Sequence, residues 1–240
     1  MLLFPQEPQP RVVVAARLLK KLPPFEVAHI WFTSILDTLR FIPAYSMFSF
    51  VFECIVTEPN PKGCHLEIIH QKDGDDQRNF NLSIGIAPTK NINRFEWFLE
   101  KCTEIGVDTF IPFTSENSER KVIKEDRLNR VITAAVKQSL KSYHPKLKTL
   151  TSFKDLILEP FKGQKFIAYV DADLKDELFD VCKPTDNTLI LIGPEGDFSN
   201  YEIAQAKENG FIPVRLGPSR LRTETAGVVA CHIVNLVNLS

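Results

Sequence analysis

The sequence predicts an α/β domain with a mainly parallel sheet over residues 76–240, and three observations predict it. Short runs that are mostly apolar on successive positions recur at LSIGIA (82–87), VDTFIP (107–112), KFIAYV (165–170), TLILIG (188–193) and FIPVRL (211–216), as in strands buried on both faces. Segments with helical spacing stand between them. Two of the runs lead straight into loops containing glycine and proline, IGPEGDFS (192–199) and LGPSRLRTETAG (216–227). Such alternation is the pattern of parallel strands joined by crossover helices.

Taken in order, residues 1–75 read as a separate N-terminal domain. QKDGDDQRNF (71–80) is polar, holds a glycine and divides a Phe- and Pro-rich region from the alternating one. Within that region residues 29–52, HIWFTSILDTLRFIPAYSMFSFVF, are apolar and aromatic enough for strands or a helix. After the strand at 82–87, Ile92, Phe95, Phe98, Leu99, Cys102 and Ile105 form one helical stripe, and Gly106 stops it. Following the strand at 107–112, Leu128, Val131, Ile132, Ala135, Val136 and Leu140 repeat at helical spacing. Beyond the strands at 165–170 and 188–193, Ser199 and Glu202 make a capping box that opens a helix running to Gly210. The last strand, 211–216, meets the polar loop that begins the final helix, whose apolar side is Val228, Val229, Ile233 and Val237.

At 44% hydrophobic and 25% charged, 240 residues are enough to bury a sizeable core, which excludes a disordered chain. No apolar run reaches the roughly 18–20 residues of a membrane span, and the N-terminus mixes charge and proline where a signal peptide would not. The expected location is the cytoplasm. Cys54, Cys64, Cys102, Cys182 and Cys231 fall in no CxxC pair, which fits free thiols in a reducing compartment and predicts no metal. Net charge is only −1, yet Arg120 to Lys148 carries a local +7. Clustered positive charge of this kind suits a polyanion, and Arg120, Lys121, Arg127, Arg130, Lys137 and Lys141 are the residues expected to contact one. A solvated helix face is the plain alternative. His144, beyond the helical repeat, has no Ser/His/Asp or Cys/His grouping around it in spacing, so hydrolysis is excluded.

In open α/β sheets ligands bind outside the carboxyl ends of the strands, where the two glycine loops lie. Neither loop matches GxGxxG or GxxxxGK[ST], and the Glu195 carboxylate would repel phosphate, so a ligand with a cationic centre fits better. Glycine lets backbone approach a ligand closely, while Pro194 and Pro218 stiffen the turns. Tight strand-to-helix turns alone would use the same residues.

GPEGDFSNYEIAQAKENGF followed by LGPSRLRTETA closely resembles the C-terminal signature of the SPOUT-class RNA methyltransferases, in particular the family that methylates N3 of a uridine in small-subunit ribosomal RNA. Upstream, RFEWFLEKCTEIGVDTFIP (94–112) and ERKVIKEDRLNRVITAAVKQS (119–139) look like the family's middle segments. The resemblance covers about residues 53–240. It implies a parallel sheet with a C-terminal trefoil knot, a homodimer, S-adenosyl-L-methionine bound within the knot, and small-subunit ribosomal RNA or the assembled subunit as partner, with no membrane.

The resemblance further implies a cofactor site at Ile192, Gly193, Gly196, Leu216, Gly217, Leu221, Thr223 and Ala226, with Arg222 and Glu224 facing the methyl group and the base as catalytic residues. Arg222 suits the stabilisation of charge on uracil oxygens. Glu224 is the nearest candidate base, although a Glu in a first helical turn is also what the helix dipole favours. Other SPOUT families methylate ribose 2′-O or guanine N1, and a non-catalytic RNA-binding protein would keep the same basic helix. The family begins with a small PUA-like β-barrel. Here the sequence departs from that pattern before about Glu53, with no glycine until Gly63, so an incomplete barrel is expected.

Overall fold

In the computed structural model the residues described are 28–32, 39–43, 50–58, 65–73, 78–171 and 173–239. The chain divides into two compact units, residues 1–77 with 140–144, and residues 78–139 with 145–240. The expectations for residues 1–27 lie outside the described residues.

Among its described residues the first unit has two antiparallel ladders. Strand β1 (Ala28–Phe32) pairs with β2 (Leu39–Pro43), and β3 (Phe50–Glu58) pairs with β4 (His65–Asp73). The longer ladder shifts register between Glu53 and Cys54 and again between Val56 and Glu58. The apolar stretch from residue 29 therefore holds strands, where sequence alone left strand or helix open.

The second unit is built on parallel strands β5 (Leu82–Ile86), β6 (Thr109–Thr114), β7 (Lys146–Leu147), β8 (Thr151–Ser152), β9 (Gln164–Ala168), β10 (Thr188–Ile192) and β11 (Ile212–Val214). Their order is β11-β9-β10-β5-β6-β7, with β8 pairing the far end of β6. Every residue of β5 and β10 is buried, because helices cover both faces at the centre of the sheet. The expected run at 107–112 begins its strand two positions later, since Gly106 and Val107 form the exit from the preceding helix.

Among the described residues six helices, α1 (Ile92–Ile105), α2 (Glu125–Gln138), α3 (Phe153–Leu158), α4 (Leu178–Val181), α5 (Asn200–Glu208) and α6 (Thr223–Val237), lie among these strands. Asn91 caps α1 by accepting from the Asn93 amide, and Gly106, at φ 130°, ends it in a conformation open to glycine. The Ser199/Glu202 capping box opens α5. Glu202 is buried and its Oε1 also accepts from the Glu116 amide at 2.9 Å, so one carboxylate caps a helix and anchors the loop after β6. Helix α2 stops at Gln138, because Leu140 adopts φ 54°, and Lys141, Lys146 and Lys148 sit beyond it. The short pieces β7, β8, α3 and α4 have too few residues to leave a periodic signal in the sequence.

Among the described residues of the second unit the core holds two aromatic groups. Phe98 packs against Phe95 and Phe110, with ring centroids at 5.9 and 5.5 Å, and Phe113, Phe153 and Phe198 form the other. Helix α6 approaches α1 at Gly227, where an added Cβ would lie 2.4 Å from Phe98 Cε2 and 3.2 Å from Ile86 Cδ1.

Candidate functional site

The carboxyl ends of β9, β10 and β11 open into one cavity of about 670 Å³, whose walls are residues 168–171, 192–195, 197, 214–223 and 226. The two glycine loops of the sequence meet there. Of the residues expected to hold a cofactor, Ile192, Gly193, Leu216, Gly217, Leu221, Thr223 and Ala226 line it, together with Arg222. Gly196 does not.

The loop after β10 is tied from several sides. The Asp197 amide donates to Pro194 O at 3.0 Å, and Asp197 sits at φ 61°. Its carboxylate accepts from the Phe198 amide at 2.9 Å and, across the cavity wall, from the Val170 amide at 3.1 Å. Asn117 Nδ2 donates to the carbonyls of Gly196 and Asp197, and Glu195 Oε1 accepts from the Lys90 amide at 2.9 Å. The glycines here serve the protein's own packing. A Cβ on Gly196 would lie 3.1 Å from Asn117 Cβ, and one on Gly193 would lie 3.1 Å from the Phe198 ring.

Gly217 is different. It adopts φ 103°, and a Cβ built there meets no atom within 4 Å, so its small size leaves open space and its conformation is one that L side chains rarely adopt. The residues lining the cavity include the apolar Ile192, Leu216, Leu221 and Ala226, the acidic Asp171, Glu195 and Asp197, and the basic Arg215, Arg220 and Arg222.

Arg222 occupies the N-cap position of α6 and is exposed, while Thr223 and Glu224 in the following turn are buried. Glu224 is not among the residues lining the cavity. Its Oε1 lies 3.7 Å from Arg94 Nε of α1, and its Oε2 is buried without a hydrogen-bond partner.

Residues 76–235 match the family model of an RNA methyltransferase domain. A relative named ribosomal RNA small subunit methyltransferase E, from Mesomycoplasma hyopneumoniae (strain 232), is 33% identical over 70% of this chain and 75% of its own length. Its counterpart of the same name from Aquifex aeolicus (strain VF5) is 33% identical over 64% of this chain and 68% of its own. The chain belongs to the small subunit methyltransferase E family of RNA methyltransferases.

Solved structures agree with the family in fold. The crystal structure of a probable rRNA-methyltransferase from Porphyromonas gingivalis has a TM-score of 0.74 at 40% identity, covering 80% of this chain and 82% of that one. A Legionella pneumophila protein solved in complex with the bound cofactor SAM has a TM-score of 0.71 at 25% identity, covering 79% and 80%.

The basic residues of this methyltransferase-family chain divide by what they touch. Arg120 donates from Nε to Thr89 O at 2.9 Å and from Nη2 to Lys90 O, latching the loops after β5 and β6 together. Arg127 is paired with Glu96 of α1, its Nη2 at 2.8 Å from Oε2. Lys121, Arg130 and Lys137 are exposed, and Lys141 groups with the first unit. Sequence reading missed Tyr169, Val170, Asp171 and Asp197 as cavity residues, and Glu177 behind them. Only Asp197 stood inside a motif; the others follow β9 in a segment with no glycine signal. Among the described residues no three His, Cys, Asp or Glu side chains gather as metal ligands would, and no helix is long and apolar enough to cross a membrane.

Proposed function

We propose that this protein transfers a methyl group from S-adenosyl-L-methionine to N3 of a uridine in small-subunit ribosomal RNA. The observation that supports it best is that two separated motifs, IGPEGDFS and LGPSRLRTETAG, form the walls of a single cavity. The cavity's chemistry fits the cofactor. Ile192, Leu216, Leu221 and Ala226 offer apolar contact to an adenine, Gly217 leaves space for close backbone approach, and Asp171, Glu195 and Asp197 suit a cationic sulfonium and ammonium. When bound, that cofactor supplies an electrophilic methyl group.

The chain's residues do the remainder. Arg222, at the cavity wall, holds a uracil carbonyl oxygen and stabilises the negative charge that grows as N3 loses its proton. The candidate base for that proton on α6 is Glu224, which lies outside the cavity lining with Oε1 3.7 Å from Arg94 Nε and Oε2 buried and unpartnered, so this role requires Oε2 to open to the substrate when RNA binds. Lys121, Arg130, Lys137 and Lys141 steer the RNA backbone. The names of the Mesomycoplasma and Aquifex relatives support small-subunit ribosomal RNA as the substrate, and the Legionella structure supports the cofactor.

Homodimerisation, a C-terminal trefoil knot and RNA docking by a PUA-like N-terminal unit belong to the same proposal. Light scattering at micromolar concentration should give twice the chain mass. The central test is nucleoside analysis of ribosomal RNA lacking its own mark after incubation with protein and labelled S-adenosyl-L-methionine. N3-methyluridine is the expected product, and label in a ribose 2′-O-methyl nucleoside or in N1-methylguanosine would overturn the assignment.

A further inference from the structure

We propose that Glu177 is a positioning residue for the cofactor: by accepting the Gly217 N–H it fixes the left-handed turn of the cavity loop and so sets the affinity for S-adenosyl-L-methionine. The proposal rests on the reading of the cavity as the cofactor site. Gly217 at φ 103° has no side chain and meets no atom within 4 Å at its Cβ position, so side-chain packing does not hold it in that conformation. A carboxylate does. Glu177 Oε2 accepts from the Gly217 amide at 2.9 Å, and Oε1 lies 3.4 Å from Arg215 Nε, so one side chain spans the loop from its strand end to its turn.

The carboxylate is itself held in place by backbone. Arg215 N donates to Asp176 O at 2.8 Å and Leu178 N donates to Arg215 O at 3.0 Å, a parallel bridge that extends the sheet just past the end of β11. Leu178 is fully buried, which fixes the segment from below. Glu177 stands at the N-cap position of α4, where a side chain ordinarily bonds the helix's own amides, yet it makes no capping bond and turns to the loop instead. Both members of the Arg215–Glu177 pair are 32% exposed, so the ion pair adds little. The charge-assisted bond to a backbone N–H carries the effect, because it selects one conformation of a residue with unusually many.

The experiment is calorimetric titration of S-adenosyl-L-methionine into the full chain and its variants, with hydrogen exchange of the Gly217 amide followed in the cofactor-free protein. Glu177→Ala should weaken binding about tenfold, the scale of one charge-assisted hydrogen bond, and speed exchange at Gly217. Glu177→Gln keeps an acceptor at the same reach and should restore affinity to within about threefold of wild type, whereas Glu177→Asp, one carbon shorter, should resemble Ala. In turnover the loss should appear in KM for the cofactor, with kcat at saturation retained. Unchanged affinity in Glu177→Ala, or a Gln variant as weak as Ala, would overturn the proposal; if the Ala variant does not fold, the Gln and Asp variants decide it. Failure of the wild-type chain to bind S-adenosyl-L-methionine would instead overturn the cavity assignment, and Gly217 exchange unchanged in Glu177→Ala would still sink the clasp on its own.

Discussion

Glu224 Oε1 lies 3.7 Å from Arg94 Nε where α6 meets α1, while Oε2 of the same carboxylate is buried and has no partner. A buried acceptor left unsatisfied costs stability, so its presence points to use by something that arrives later. Glu224→Gln preserves the shape and removes the base. Single-turnover methylation should fall by about 100-fold or more and its dependence on pH should change form. Turnover close to wild type would confine Glu224 to capping and packing.

Arg222, exposed at the N-cap of α6, has a different task. Because the charge it meets exists only in the transition state, Arg222→Ala should lower kcat by roughly 100-fold with little loss of RNA affinity. A change confined to RNA affinity would make it a docking residue.

The two loop glycines should respond differently to alanine. At Gly217 a Cβ has space but the backbone, at φ 103°, is strained for an L residue, so Gly217→Ala should weaken cofactor binding while the fold persists. Gly196 keeps a conformation open to other residues and needs only a small yielding of Asn117, 3.1 Å from the Cβ position, so Gly196→Ala should bind nearly as wild type. Calorimetry on both variants checks the contrast, and equal losses would contradict it.

Helix α6 depends on its own glycine. Alanine at Gly227 would drive a Cβ to 2.4 Å from the Phe98 ring, which is fully buried between Phe95 and Phe110 and has nowhere to go. Alanine's better helix propensity, about 1 kcal/mol, offsets only part of an overpacking cost of about 1–3 kcal/mol. Thermal unfolding should show a lower midpoint for Gly227→Ala. An unchanged or raised midpoint would mean that the two helices separate without loss.

Much of this arrangement is legible in the sequence, and the reason is physical. The strands at 82–87 and 188–193 are read without ambiguity because helices bury both their faces, which favours apolar residues on successive positions, with Ser83 and Thr188 the buried polar exceptions. Helix α5 announces itself by a capping box whose two partners lie three residues apart. By contrast Glu177 and Asp171 reach the site through tertiary packing, in a segment whose local sequence is that of an ordinary polar loop. The face on which Glu224 lies is not readable either: its first-turn position fits helix, dipole or chemistry alike, and the packing of α6 on α1, with Gly227 against Phe98 and Asn235 donating to Gly106 O, places it beside Arg94.

The basic stretch divides into residues already engaged and residues that face solvent. Arg120 and Arg127 bond to the protein itself, whereas Lys121 and Arg130 are exposed and form no ion pair among the described residues. Joint replacement of Lys121 and Arg130 by Ala should lower the salt slope of RNA binding by about 1–2 units, with turnover at saturating RNA nearly intact. An unaltered slope would remove these two from the RNA footprint.

The strand order has a consequence for how the chain is made. In the middle of the sheet Ile84 pairs beside Ile190, and the last helix, α6, completes the packing around Phe98. During synthesis β5 and α1 leave the ribosome long before either partner exists, so an apolar strand edge stays open until β10 has emerged. Pairings so distant along the chain are slow to form, and an unpaired edge invites association with other chains. Nascent chains stalled before Thr188 should therefore be cut readily by protease near β5, and those released after Val237 should resist it.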